Sequence, residues 1–187
     1  MVLTKPELFR KFISMSVGHL GVFYGQAFST PERMEEACKG NWYMYLHALE
    51  GMEELYMLND FAFFKTFFKQ HPECDVIIDA IKETGHIEWL NYDRANHVAL
   101  DYLAYAKNPE IYPNCKVPTM VMFPEDDMFL WKQQAIDTPQ KMDAESRIEI
   151  IQGGHWGMLD HPDDVNKLMV EWFDSEASTA RADVKEA

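Results

Sequence analysis

His155 follows two glycines, Gly153 and Gly154, and precedes Trp156, a setting that presents an imidazole at a chain reversal. Such a ring, with an ordinary pKa of about 6.5, can take a proton from water and hand it on. It works best when a carboxylate accepts its Nδ1 proton and fixes the tautomer. Glu125, Asp126 and Asp127 offer carboxylates at a second turn, with Asp127 the candidate acid and Asp126 its close competitor. Acid and histidine are two members of a catalytic triad. The third, a nucleophile on a sharp strand-to-helix turn, has no GxSxG motif and no aspartate-bearing equivalent. Ser14-Met15-Ser16-Val17-Gly18 is the nearest imitation. It reads instead as a strand leading out of the core, because the dozen or so residues before Thr30 cannot hold the helix and further strand that an elbow requires.

Three short apolar segments position these turns. Phe12–Val17 closes at Gly18, Thr119–Phe123 at Pro124, and Arg147–Ile151 before Gly153, each reading as a buried strand with a turn signal. A helical stretch is expected over Phe129–Met142 and another over Pro162–Phe173, entered through Asp160-His161-Pro162. Strand, helix, strand, helix predicts an α/β architecture, about three parallel strands with crossover helices. The middle differs. Ser29-Thr30-Pro31-Glu32 is a helix start with cap, proline and carboxylate in order. Apolar residues then recur at helical spacing through Trp42, Tyr45, Leu46 and Leu49, through Phe61, Phe64, Phe67 and Phe68, and through Val76, Ile77, Ala80 and Ile81. The expected division is therefore a first core strand and exit over 1–29, a helical insertion over 30–106, a C-terminal core over 107–174 and a disordered tail over 175–187.

Composition narrows the setting. With 47% hydrophobic and 13% aromatic residues in 187, the chain can bury a core. A formal charge of -14 repels phosphate backbones and anionic membrane surfaces, so neither nucleic acid nor membrane is an expected partner. Cys38, Cys74 and Cys115 show no CxxC spacing, which suggests neither a disulfide framework nor zinc and points to a reducing, cytoplasmic setting for a soluble protein. His19, His71, His86, His97 and His161 have no metal-ligand spacing.

Several words in order resemble the C-terminal portion of an α/β-hydrolase, specifically an epoxide hydrolase. Ser16-Val17-Gly18-His19 looks like the entry to that family's cap. Trp42-Tyr43-Met44-Tyr45-Leu46-His47-Ala48-Leu49-Glu50-Gly51 is similar to its first cap helix, and Leu90-Asn91-Tyr92-Asp93-Arg94-Ala95-Asn96 to its second cap motif. Phe123 to Leu130 resembles the acid turn and Gly153 to Trp156 the histidine turn. The resemblance implies a helical cap over a partial α/β-hydrolase core. It makes Tyr43 the phenol that holds the epoxide oxygen, with Trp42, His47 and Trp156 beside the substrate, and it implies no cofactor and no metal. The family's second cap tyrosine would precede Arg94, where this chain has Asp93. A carboxylate is no neutral donor unless its pKa is strongly raised.

In that family the nucleophile and oxyanion hole precede the cap, so they would lie upstream of Met1. Three expectations follow: a fragment that is inactive alone, a split hydrolase completed by another chain, or a non-catalytic subunit or homodimer whose partner covers the edge of the first strand. Asp93 also keeps open haloalkane or haloacetate dehalogenation, which uses the same ester logic without two cap phenols. A small molecule is the expected substrate if the site is active.

Overall fold

The computed structural model describes residues 1–95 and 98–176; His97, Asn96 and the expected tail beyond residue 176 lie outside them. Three parallel strands form one sheet in the order β1 (Phe12–Met15), β2 (Thr119–Pro124), β3 (Ser146–Ile151). Phe12 faces Thr119 across the first pairing, and Thr119 faces Ser146 across the second. All six residues of β2 are buried, as a central parallel strand covered on both faces requires. β1 is only half-buried and pairs with β2 alone among the described strands. It ends two residues earlier than the apolar pattern suggests because Ser16, at φ 64°, turns the chain out of the extended region.

Among the described residues six α-helices run between β1 and β2: α1 (Leu20–Ala27), α2 (Pro31–His47), α3 (Met52–Phe67), α4 (Cys74–Thr84), α5 (Leu90–Ala95) and α6 (Val98–Lys107). After β2 come α7 (Gln133–Ile136), β3, α8 (Gly157–Asp160) and α9 (Pro162–Asp174). The start of α2 follows its sequence signals: the Thr30 hydroxyl accepts from the Arg33 N–H at 3.2 Å, with Pro31 and Glu32 in the first turn. α9 lays Val165 and Trp172 on Met120, Met122 and Ile151 of one sheet face. The Trp172 indole N–H donates to the Phe12 carbonyl at 3.2 Å, tying the last helix to the first strand.

One expected helix is broken, and one observed helix is kinked. The stretch 129–142 holds only the four-residue α7 and a 3-10 turn over Thr138–Lys141. Pro139 has no N–H to continue the ladder, and its ring would strike the preceding turn. Within α3, Asn59, Asp60 and Phe61 all have positive φ, so the helix kinks sharply there. Asp60 at the kink accepts from Lys65 at 2.9 Å.

The helices between β1 and β2 carry their own aromatic core. Tyr56, Phe64, Ile87 and Leu90 are almost fully excluded from solvent, and Phe129 from the β2 side joins the same cluster. A single apolar mass therefore runs from the helical layer into the turn that follows β2.

Candidate active site

The turn after β2 is fixed by one side chain. The Asp127 Oδ1 accepts from the backbone N–H groups of Phe129 at 2.9 Å and Leu130 at 3.1 Å. Its Oδ2 lies 2.8 Å from the Nδ1 of His155. The Asp127 side chain is wholly buried whereas that of His155 is 28% exposed. With every acceptor on the acid engaged, the His155 Nδ1 carries the proton and Nε2 is left as the base. No described group bonds to that nitrogen.

Asp126 is exposed and uses its backbone N–H on the Gly153 carbonyl at 3.1 Å. That bond stitches the acid turn to the histidine turn. Gly153 has φ 104°, and a Cβ there would press on the His161 ring. Here glycine is required, and it is what swings the chain from β3 to His155.

His155 opens onto a cavity of about 490 Å³. Tyr43, His47, Asp93 and Trp156 line it too, so the structure brings together four of the six expected site residues in one cavity and holds Asp127 directly behind. The sixth, Trp42, is a correction. One position along α2 from Tyr43 it is turned about 100° away; it is 45% exposed and packs its ring against Phe67 at 5.7 Å, outside the lining.

Phe129 links the two halves of the site. Its ring stands 4.9 Å from His155 and 5.0 Å from Tyr43, edge to face in both cases. Burial, and then the Asp93 and Asp127 carboxylates, push the Tyr43 phenol up to about 12. It therefore stays protonated, a hydrogen-bond donor rather than an anion.

His47 is not a free cavity ligand. Its Nδ1 lies 2.6 Å from the Asp93 Oδ2, and its Nε2 lies 2.6 Å from the hydroxyl of Tyr56. His47 and Tyr56 are buried, and the Asp93 side chain is 11% exposed. Burial and the charge of Asp93 raise the Tyr56 phenol as well. Sequence reasoning missed Tyr56, since nothing in its spacing shows that α3 folds back to meet α2. The departure at Asp93 was the available signal: a carboxylate on a buried helix face requires a partner.

Among the described residues no serine, threonine or cysteine lines the cavity. Ser16 is buried at the end of β1, its carbonyl accepting from the Gln134 amide at 2.8 Å. β1 lies directly beside the acid-bearing β2. Among the described residues no group of three metal-ligating side chains occurs, and no helix is long and apolar enough to cross a membrane.

The strand order, the crossover helices and the acid and histidine at adjacent strand ends define an α/β-hydrolase fold. Solved structures agree. Epoxide hydrolase A from Mycobacterium thermoresistibile matches 95% of this chain at 15% identity and TM-score 0.67. An epoxide hydrolase from Vigna radiata matches 92% at 16% identity and TM-score 0.64, and one from Bacillus megaterium 93% at 13% and 0.58. The match covers 66%, 62% and 64% of those chains respectively, so this chain spans just under two thirds of their length. No protein-family model and no curated protein sequence matches it.

Proposed function

We propose that this chain carries the cap and the acid–histidine pair of an ester-forming hydrolase of the epoxide hydrolase kind, with the nucleophile supplied from outside these 187 residues. The observation that carries the reading is the Asp127–His155 pair at 2.8 Å, opening onto the cavity that Tyr43 also lines. A carboxylate nucleophile would attack an epoxide carbon and break the C–O bond, while Tyr43 donates a hydrogen bond to the departing oxygen. His155 Nε2 would then take a proton from water as its oxygen adds to the ester carbonyl. The same proton passes to the alcohol oxygen that leaves, and the second proton of the water, released as the carboxyl group ionises back to carboxylate, neutralises the ring-opened oxygen that Tyr43 holds.

A partner or second copy would complete the core along the outer edge of β1; on one face of the β1–β2 pair lies an apolar groove of about 350 Å³ lined by Phe12, Val17 and Val121 among others. The chain alone is then expected to hydrolyse no epoxide. The test is native isolation of the protein, identification of what copurifies, and assay of that assembly with His155→Gln. The variant should accumulate a covalent adduct whose mass increment equals that of the epoxide. Normal turnover by the variant would refute the role of His155. Activity of the purified chain alone that vanishes in Ser16→Ala would place the nucleophile at Ser16 instead.

Asp93 favours a second reading. With one cap phenol and a carboxylate opposite, the site suits displacement of halide, a leaving group that needs no proton. Turnover of haloalkanes but not epoxides by the same assembly would select it.

A further inference from the structure

The cavity is an aromatic box with one charge in it. Tyr43, Phe68, Trp89, Tyr92, Phe129 and Trp156 contribute rings, and among the described residues Asp93 is the sole carboxylate of the lining and no lysine or arginine lines it. The adjacent basic residue, Arg94, is spent elsewhere: its guanidinium holds both oxygens of Glu53, at 2.5 and 2.8 Å, and the Leu49 carbonyl at 3.1 Å.

His47 does not cancel the Asp93 charge. The buried Tyr56 hydroxyl has His47 Nε2 as its partner. An imidazolium would donate there, leaving the phenol proton without an acceptor, whereas neutral imidazole accepts that proton and donates Nδ1–H to Asp93. The neutral form satisfies all three groups. Asp93 thus meets the cavity as a carboxylate engaged by His47 only through a neutral N–H donor, near Trp89, whose ring stands 5.0 Å from His47.

A carboxylate among aromatic faces attracts cations twice, by its charge and by the ring quadrupoles. We infer that the cavity binds a compact organic cation, a substituted ammonium group, and that Asp93 with Trp89 recognises it. This rests on the cavity being the substrate site and narrows the substrate class to molecules with an ammonium head. Binding is independent of the chemical step, so the test separates the two: failure to bind overturns this inference alone, and binding without turnover in any assembly leaves the hydrolase reading to fail by itself.

The probes are choline and its neutral isostere 3,3-dimethylbutan-1-ol, titrated into the full chain by calorimetry at pH 8 and constant ionic strength, with tryptophan fluorescence in parallel. Choline should bind at least tenfold tighter. Asp93→Asn should abolish that preference, and Trp89→Leu should weaken choline several-fold more than the alcohol, both in variants whose thermal unfolding remains cooperative. Equal affinity for the two probes in the unmutated protein overturns the proposal without recourse to variants. A choline preference that survives both substitutions also overturns it, since the cation would then sit elsewhere on the acidic surface.

Discussion

Gly40 on α2 faces the backbone carbonyl of Phe129 so closely that a Cβ at position 40 would overlap that oxygen. The contact sets how near the helix bearing Tyr43 lies to the turn bearing Asp127, because Phe129 is also the residue whose N–H holds the acid. The helix α2 and the Asp127–His155 pair are thus placed against one another by backbone rather than by adjustable side chains.

Gly40→Ala should therefore destabilise. Alanine in a helix interior gains about 1 kcal/mol over glycine, but overpacking against an immovable carbonyl costs about 1–3 kcal/mol. A net loss of up to about 2 kcal/mol is expected in urea unfolding, with a shift of the Trp156 fluorescence as Phe129 moves. A stabilised variant would show that the helix slides freely over the turn.

Asp127→Asn should switch the tautomer of His155. The amide oxygen would keep its two backbone donors, turning its NH2 toward Nδ1, so the ring would have to accept there and carry its proton on Nε2. Nitrogen-15 spectra of the labelled imidazole read this directly. An unchanged spectrum would mean that the acid does not set the proton's position.

The Asp127–His155 pair was legible because its parts are local: apolar runs that end in Pro124 and in Gly153-Gly154 announce strand ends, with an acid and a histidine beside them. Asp127 stood only narrowly ahead of Asp126 in the sequence, and the turn geometry separates them, sending one side chain inward to two N–H groups and leaving the other residue in solvent. Helix lengths were less legible. Pro139 was sufficient to break the helix expected over 129–142, and apolar periodicity alone passed over it. The kink at Asn59–Phe61 has no proline or glycine to mark it. The Asp93–His47–Tyr56 chain was invisible because its members come from three helices, and only their packing brings them together.

Stability should fall with acid through His19. Burial first, against an opposing pull from the Pro113 carbonyl, holds its pKa below the ordinary imidazole value, with Lys141 adding to the lowering. The ring is neutral by construction: Nε2 lies 3.0 Å from the Pro113 carbonyl and Nδ1 accepts from the Gly21 N–H at 3.0 Å, capping α1. With the folded value depressed, the unfolded chain binds more protons as pH drops below about 6.5. The contribution is therefore complete above that pH and is lost as pH falls through the folded value. His19→Asn, which keeps a capping acceptor without titrating, should flatten the fall in urea midpoint between pH 7.5 and 5.5. His71, also held low by burial, leaves a residual slope. An undiminished slope would count against His19 as the acid-sensitive group.

Tyr56→Phe isolates the innermost link of the cap network. The substitution keeps the ring, which packs against Phe64 at 5.4 Å and Trp89 at 5.8 Å, and removes the oxygen 2.6 Å from His47. The imidazole nitrogen it leaves is buried without a partner, which costs about 1–3 kcal/mol. A phenol at the surface should not matter: Tyr45, 49% exposed, should tolerate the same change to within about 0.5 kcal/mol. The contrast between the two variants in urea unfolding measures what the hydroxyl contributes through His47. Equal, near-neutral costs would mean that the close contact is incidental packing, and that the helices between β1 and β2 are held by their aromatic core alone.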